Sequence, residues 1–224
     1  MKTHLVAPDL WRFALQRPDV LNVYLAEDVL IDAGAPFTAR KLIAALRDRR
    51  PSAHALTHAH FDHQGGSHAV CDSFGVPLWC GAGDREAAET GDWTGLLPRP
   101  DGWVARLAHR MAGPGHPVAR VLADGDGVGD FTVIETPGHT PGHLAFWRER
   151  DRVLILGDVL FHRNPVTRRA GLREPFGFAT WKPALNRESA RKLAALEPLV
   201  VCFGHGEPLT DGGRFREFVA NLEG

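Results

Sequence analysis

Short β-branched or apolar runs alternate along this chain with stretches whose apolar residues recur at helical spacing. Leu21 to Leu25 and Val29 to Ile31 predict the two strands of a hairpin, turned at Ala26-Glu27-Asp28. Thr38 to Arg49 carries Leu42, Ile43 and Leu46 on one side and charges on the other, which predicts a helix. Ala53 to Thr57 predicts a strand, His63 to Phe74 a helix ended by Gly75, and Val76 to Cys80 another strand. Phe131 to Glu135, Leu144 to Trp147 and Val153 to Leu156 predict three strands in close succession. Arg187 to Leu196 follows as an amphipathic helix, Leu199 to Phe203 as a strand and Phe215 to Leu222 as a closing helix. Two stretches, 84 to 118 and 159 to 183, break this rhythm. Irregular segments of that length in a compact chain tend to be functional loops, and both are expected to wall a substrate pocket.

Composition narrows the class. At 224 residues and 44% hydrophobic the chain can bury one sizeable core, so residues 1–224 are expected to form a single domain without linker or repeat. The formal net charge of −1 provides no field to recruit nucleic acid or an anionic membrane, which leaves a small molecule as the expected partner. The 22 arginines against 4 lysines read as a base-composition bias. Cys71, Cys80 and Cys202 show no CxxC spacing and are expected to be small buried residues. The amino-terminal segment is interrupted by Pro8, Asp9, Arg12 and Arg17 and lacks the apolar stretch of a signal peptide. With no run near the ~20 apolar residues of a membrane span, a cytoplasmic location is expected.

The chemistry concentrates where strands end. Thr57-His58-Ala59-His60-Phe61-Asp62-His63 follows the strand from Ala53, and His58 and His60, two apart on extended chain, point to the same side. Asp62 and His63 come at the turn into the next helix, aimed at a second point nearby. Crowded imidazoles beside a carboxylate are costly unless something neutralises them, and a divalent metal does so. His139 lies in Thr136-Pro137-Gly138-His139-Thr140-Pro141-Gly142, Asp158 in Leu156-Gly157-Asp158, and His205 in Phe203-Gly204-His205-Gly206. Each again follows a strand, the edge at which sites assemble in layered folds. His4, His54, His68, His109, His116 and His162 have no such setting. His143, in the same turn as His139, is expected to make a structural hydrogen bond.

Taken together, HxHxDH, TPGHTPG, GD and GHG resemble the metallo-β-lactamase superfamily, in its glyoxalase-II-like branch. Asn22-Val23-Tyr24-Leu25 and Leu30-Ile31-Asp32-Ala33-Gly34 resemble that family's opening hairpin. The resemblance spans residues 21 to 206. It implies an α+β fold, a four-layer αββα sandwich of two mixed sheets flanked by helices. It also implies two divalent ions, one held by His58, His60 and His139, the other by Asp62, His63 and His205, with Asp158 bridging. Asp32 would support a ligating imidazole by a hydrogen bond. Imidazole and carboxylate suit zinc, iron or manganese. Relatives that use two irons for oxygen chemistry tend to have Glu at the position of His60, so histidine favours zinc.

The function expected from this resemblance is hydrolysis of an ester-like bond, a thioester or lactone, with Asp62 and Asp158 passing protons. A mononuclear iron persulfide dioxygenase is the alternative from another class, and β-lactamase or phosphodiesterase activity is a further one. Only residues 206 to 224 follow His205, so the helical domain with which glyoxalase II grips glutathione is not expected. Arg163, Arg168, Arg169 and Arg173 lie shortly after Asp158, where a guanidinium can clasp a substrate carboxylate or phosphate, solvated surface being the competing reading. Trp93, Trp103, Phe161, Phe176, Phe178 and Trp181 are the candidate apolar contacts.

Overall fold

In the computed structural model, which describes residues 1–111 and 113–223, seven strands form the first sheet. They are β1 (Lys2–Ala7), β2 (Leu10–Gln16), β3 (Leu21–Ala26), β4 (Val29–Ile31), β5 (Ala53–Ala55), β6 (Leu78–Gly81) and β7 (Val118–Leu122), and they lie side by side in chain order. Pairing is antiparallel from β1 to β4 and parallel from β4 to β7. The helices of this half are α1 (Ala39–Ala45), α2 (Phe61–Gln64), α3 (Ser67–Phe74), α4 (Arg85–Thr90) and α5 (Trp103–His109).

A second sheet uses β8 (Gly127–Val128), β9 (Phe131–Glu135), β10 (Leu144–Arg148) and β11 (Val153–Ile155). After them come a separate hairpin, β12 (Phe161–Arg163) with β13 (Ala170–Arg173), then α6 (Pro183–Ala194), β14 (Val200–Cys202) and α7 (Gly212–Ala220). The spatial order is β14-β11-β10-β9-β8, with β11 and β14 parallel and the other neighbours antiparallel. Both sheets are therefore of the kinds expected in a four-layer αββα sandwich.

Burial explains the layering. Tyr24, Ile31 and Ala55 of the first sheet meet Phe131, Val133, Phe146 and Ile155 of the second in one apolar cluster between the sheets. The alternate residues of β3, Leu21, Val23 and Leu25, face outward and pack with Leu42, Leu46 and Val70 of the first helical layer. Because both faces of β3 are covered, its sequence reads as a continuous apolar run. On the far side, Leu154 and Val201 pack with Ala190 and Leu193 of α6 and Phe215 and Val219 of α7. A fourth cluster joins Leu56, Cys71 and Leu78 to Ala87, Trp93, Leu97 and Ala105.

The sequence reading needs correction in several places. The helix expected over His63 to Phe74 is two helices, α2 and α3, broken at Gly65-Gly66. A Cβ on Gly65 would collide with the Pro36 ring and one on Gly66 with the Ala33 carbonyl oxygen, because the loop after β4 passes directly over them. The helix expected to reach Arg49 stops at Ala45, leaving the charged tail exposed. Strands β1 and β2 were not foreseen. The two irregular stretches hold regular pieces, α4, α5 and the start of β7 in one and the β12–β13 hairpin in the other.

Candidate metal centre

Five loops, each leaving the end of a strand, converge at one edge of the sandwich. Asp32 follows β4; His58, His60, Asp62 and His63 follow β5; His139 follows β9, Asp158 follows β11 and His205 follows β14. The two sheets thus contribute to a single site. Asp158 Oδ2 stands at its centre, 3.1 Å from His205 Nε2, 3.3 Å from His63 Nε2, 3.6 Å from His139 Nε2 and 3.8 Å from His58 Nε2. Asp62 Oδ2 is 3.5 Å from His205 Nε2. Three overlapping groups have ligand atoms close enough to hold an ion: His58, His60 and His139; His58, His63 and Asp158; and Asp62, His63 and His205.

In four of these histidines the Nδ1 facing away from the centre is spoken for. His63 Nδ1 donates to Asp32 Oδ2 at 2.8 Å, His139 Nδ1 to Thr180 Oγ1 at 3.2 Å, and His205 Nδ1 to the Val20 carbonyl. His58 Nδ1 reaches Thr57 Oγ1 at 3.0 Å, and that hydroxyl in turn donates to Asp32. A proton on each Nδ1 leaves the lone pair on Nε2 directed inward. The Nε2 atoms of His58, His60, His63 and His139, and Oδ1 of Asp158, are buried without a hydrogen-bond partner. Such a set of orphaned acceptors is expensive in an apolar interior and fits divalent cations.

Electrostatics point the same way. Burial pushes His60 down to about 3 and, together with the neighbouring imidazoles, His58 and His139 well below their ordinary range. These rings stay neutral, as ligands must. For His63, burial is outweighed by Asp158 and Asp32, which hold its proton well above the usual value; Asp158 and Asp62 raise His205 in the same way. Burial would raise Asp158, but His205 and His63 keep it well below the carboxylate range. The two aspartates thus give this end of the centre a pull on positive charge, which a divalent ion on the Nε2 atoms of His63 and His205 would satisfy in place of a proton.

Close packing fixes the loops. Asn22 and Tyr24, from the opening hairpin, both donate to the Phe203 carbonyl and clamp the turn that presents His205. A Cβ on Gly204 would meet Asp158 Oδ1 at 2.2 Å, so only glycine lets that turn approach. His143 is not aimed into the centre. Its Nδ1 meets Thr136 Oγ1 at 2.8 Å, and its Nε2 accepts from the Asp158 backbone N–H at 3.1 Å. His54 is likewise engaged at both nitrogens, by the Leu30 carbonyl and by Ser67.

One residue that organises the site escaped the sequence reading. Asp84, fully buried, accepts from Ala59 N at 2.8 Å, Thr140 Oγ1 at 2.8 Å and Gly142 N at 2.7 Å. It ties the loop of His58 and His60 to the loop of His139. Its signal was present in Gly81-Ala82-Gly83-Asp84, an acid beside glycines at a strand end, the same setting as the other site residues.

A cavity of about 440 Å³ opens above the centre, with His60, Asp62, His139, Asp158 and His205 in its lining. Trp93, Phe161, Phe176 and Phe178 line it as expected, whereas Trp103 is 77% exposed and Trp181 stacks under Lys182 instead. The arginines expected near a substrate have other partners. Arg163 forms a forked ion pair with Glu207, 2.7 Å to each oxygen, and Arg173 bonds backbone carbonyls of its own strand. Neither they nor Arg168 and Arg169 line the cavity; the β12–β13 hairpin reaches it with Phe161, Pro165 and Val166.

The metallo-beta-lactamase superfamily model matches residues 17–205, and the chain belongs to that superfamily of metal-dependent hydrolases. It is 32% identical over 215 residues to the probable metallo-hydrolase YflN of Bacillus subtilis (strain 168), covering 87% of this chain and 80% of the relative. A hydroxyacylglutathione hydrolase of Rhodospirillum rubrum is 32% identical over 155 residues, which are 66% of this chain but 46% of that one. Among solved structures, TTHA1623 in a di-iron-bound form superposes with a TM-score of 0.69 at 29% identity, covering 96% of each chain. No helix among the described residues is long and apolar enough to cross a membrane.

Proposed function

We propose that this hydrolase works with two divalent ions, zinc by preference, and cleaves an ester-like bond, a thioester or lactone, in a small substrate. The observation that carries the reading is the set of buried, unpartnered Nε2 atoms converging with Asp158 on the floor of a cavity. In this assignment His58, His60 and His139 hold one ion, Asp62, His63 and His205 the other, and Asp158 serves both. When bound, such ions polarise a carbonyl and lower the pKa of water to near ~7.

The chain's own residues then have definite tasks. Asp32, through Nδ1 of His63, and Thr180, through Nδ1 of His139, keep the inward lone pairs in place. The apolar walls exclude bulk water. Asp62, whose side chain keeps 23% exposure toward the cavity, is the group that takes the proton lost by the attacking water. It delivers that proton to the departing oxygen or sulfur as the acyl bond breaks and the new carbon–oxygen bond forms. No protein nucleophile is required, and the cavity lining holds neither serine nor cysteine among the described residues. Burial pushes the thiols of Cys71, Cys80 and Cys202 up to about 12, which makes them inert.

The test is metal analysis of protein purified without chelator, followed by a screen of thioesters, esters, lactones, β-lactams and phosphodiesters. Close to two equivalents of metal, mostly zinc, with turnover of the ester-like group is expected. One equivalent of iron, with oxygen consumed on a persulfide, would overturn the proposal.

A further inference from the structure

Above its floor of histidines and aspartates the cavity is apolar apart from Gln16, and its apolar character continues past its mouth. Its wall is built from Trp93, Phe161 and Phe176, while Phe37, Leu107 and Phe178 at the rim are 68%, 52% and 57% exposed. These rim residues come from three separate segments, so the patch is not the by-product of one amphipathic helix. Exposed apolar groups gathered around one opening mark a place where something apolar docks. Charge excludes the other kind of ligand. The charged side chains of the lining, besides histidine, are Asp62 and Asp158, and no arginine or lysine lines it among the described residues. The nearby guanidinium of Arg163 is already neutralised by Glu207.

From these observations we infer that the substrate is an uncharged acyl ester, thioester or lactone with a hydrophobic chain of several carbons, which lies against Trp93, Phe161 and Phe176 and emerges past Phe37, Leu107 and Phe178. This rests on the hydrolase reading above and specifies its substrate. A volume of about 440 Å³ falls within the range of pockets that enclose drug-sized ligands, so part of such a chain fits inside and the rest covers the rim. A polyanionic carrier would find no cationic side chain on these walls, and its desolvated carboxylates would go unpaired. The chain's likeness to hydroxyacylglutathione hydrolases thus extends to the metal centre and not to recognition of an anionic thiol carrier.

Two measurements on the metal-loaded protein test this separately from turnover. The first is binding of unreactive straight-chain methyl ketones, from butanone to decanone, followed by quenching of tryptophan fluorescence, Trp93 being in the wall. Each methylene withdrawn from water should tighten binding about fourfold until the cavity is filled. The second is kcat/KM for p-nitrophenyl acetate, butyrate, hexanoate and octanoate against the singly anionic hemisuccinate ester. Octanoate should exceed butyrate by tenfold to a hundredfold and exceed the hemisuccinate by at least as much. Phe178→Arg, at an exposed position that the fold tolerates, should reverse part of this preference at unchanged metal content and thermal midpoint. Ketone affinities that do not vary with length would overturn the inference whether or not any ester is cleaved. A preference for the hemisuccinate would do so as well. Length-dependent ketone binding with no hydrolysis of any ester, thioester or lactone would uphold the apolar site and sink the hydrolase reading instead. If Phe178→Arg leaves chain-length dependence intact but dissociates a dimer in sedimentation velocity, the rim is a self-interface and the inference fails.

Discussion

Replacing Asp32 by Asn tests whether the site is set by tautomer as well as by position. Asp32 Oδ2 accepts from His63 Nδ1 and Thr57 Oγ1, both at 2.8 Å, while Oδ1 accepts from Thr57 N at 2.8 Å. The residue sits at φ +63°, a conformation that asparagine also tolerates, so the backbone should survive the change. The amide oxygen can keep the Thr57 N–H, but an NH₂ group must then face His63. Two donors cannot pair, so His63 turns its proton to Nε2 and loses the inward lone pair. Removing such an outer partner costs a metal site about 10–100-fold in affinity. A hydrogen bond to a charged group is worth about 1.5–3 kcal/mol, which corresponds to a similar range. Competition with a chromophoric chelator should show the ion assigned to Asp62, His63 and His205 weakened by that factor, and nitrogen chemical shifts should report His63 protonated at Nε2. If both ions bind within twofold of wild type, the orienting role of Asp32 is wrong.

Asp158→Ala should abolish turnover and lower metal content from near two equivalents to one or fewer, since its carboxylate stands closest to both histidine groups; metal analysis after gel filtration decides it. His143→Ala should keep its metal but lose about 1–3 kcal/mol in urea unfolding, because the Asp158 N–H is left buried and unpaired while the Thr136 hydroxyl retains the backbone carbonyl of residue 143. Metal-free protein should lose stability on acidification. His54, at about 4, and His60 and His143, at about 3, are depressed below their unfolded value of 6.5, so the stability they contribute is present above pH 6.5 and drains as pH falls toward those values. Each contributes a slope of up to about 1.4 kcal/mol per pH unit in that window. His63 and His205 are raised and act oppositely, losing their contribution only as pH climbs above 6.5. Urea titrations that are flat between pH 6.5 and 4 would contradict the neutral, buried state of the depressed rings.

The parts of this protein that were legible in its sequence share one cause. A strand followed by a glycine-flanked histidine or aspartate announces both its own boundary and a candidate chemistry, as at His139, Asp158 and His205, and His58 is announced instead by the histidines and aspartate crowded after it. What stayed hidden depends on contacts between distant positions. Arg163 looks available until Glu207, 44 residues later, is brought against it. Asp84 looks like one more surface acid until Thr140 and Gly142 close over it. The break between α2 and α3 arises from the loop at Ala33 and Gly34, whose approach is a property of the folded chain. Strands β1 and β2 are masked for another reason: the outer strand is mostly exposed and the inner one is covered on both faces, so neither alternates cleanly.

The convergence of two sheets on one centre also has a mechanical meaning. An ion held jointly by His63 and His205 would join points roughly 140 residues apart in the chain, a loop whose closure is entropically costly for an unlinked polymer. The metals would then act as a removable rivet between the two halves of the sandwich. Pulling the halves apart would require breaking coordination first, so the loaded protein should resist forced or thermal opening through a slower unfolding rate, and a chelator should release that brake at once.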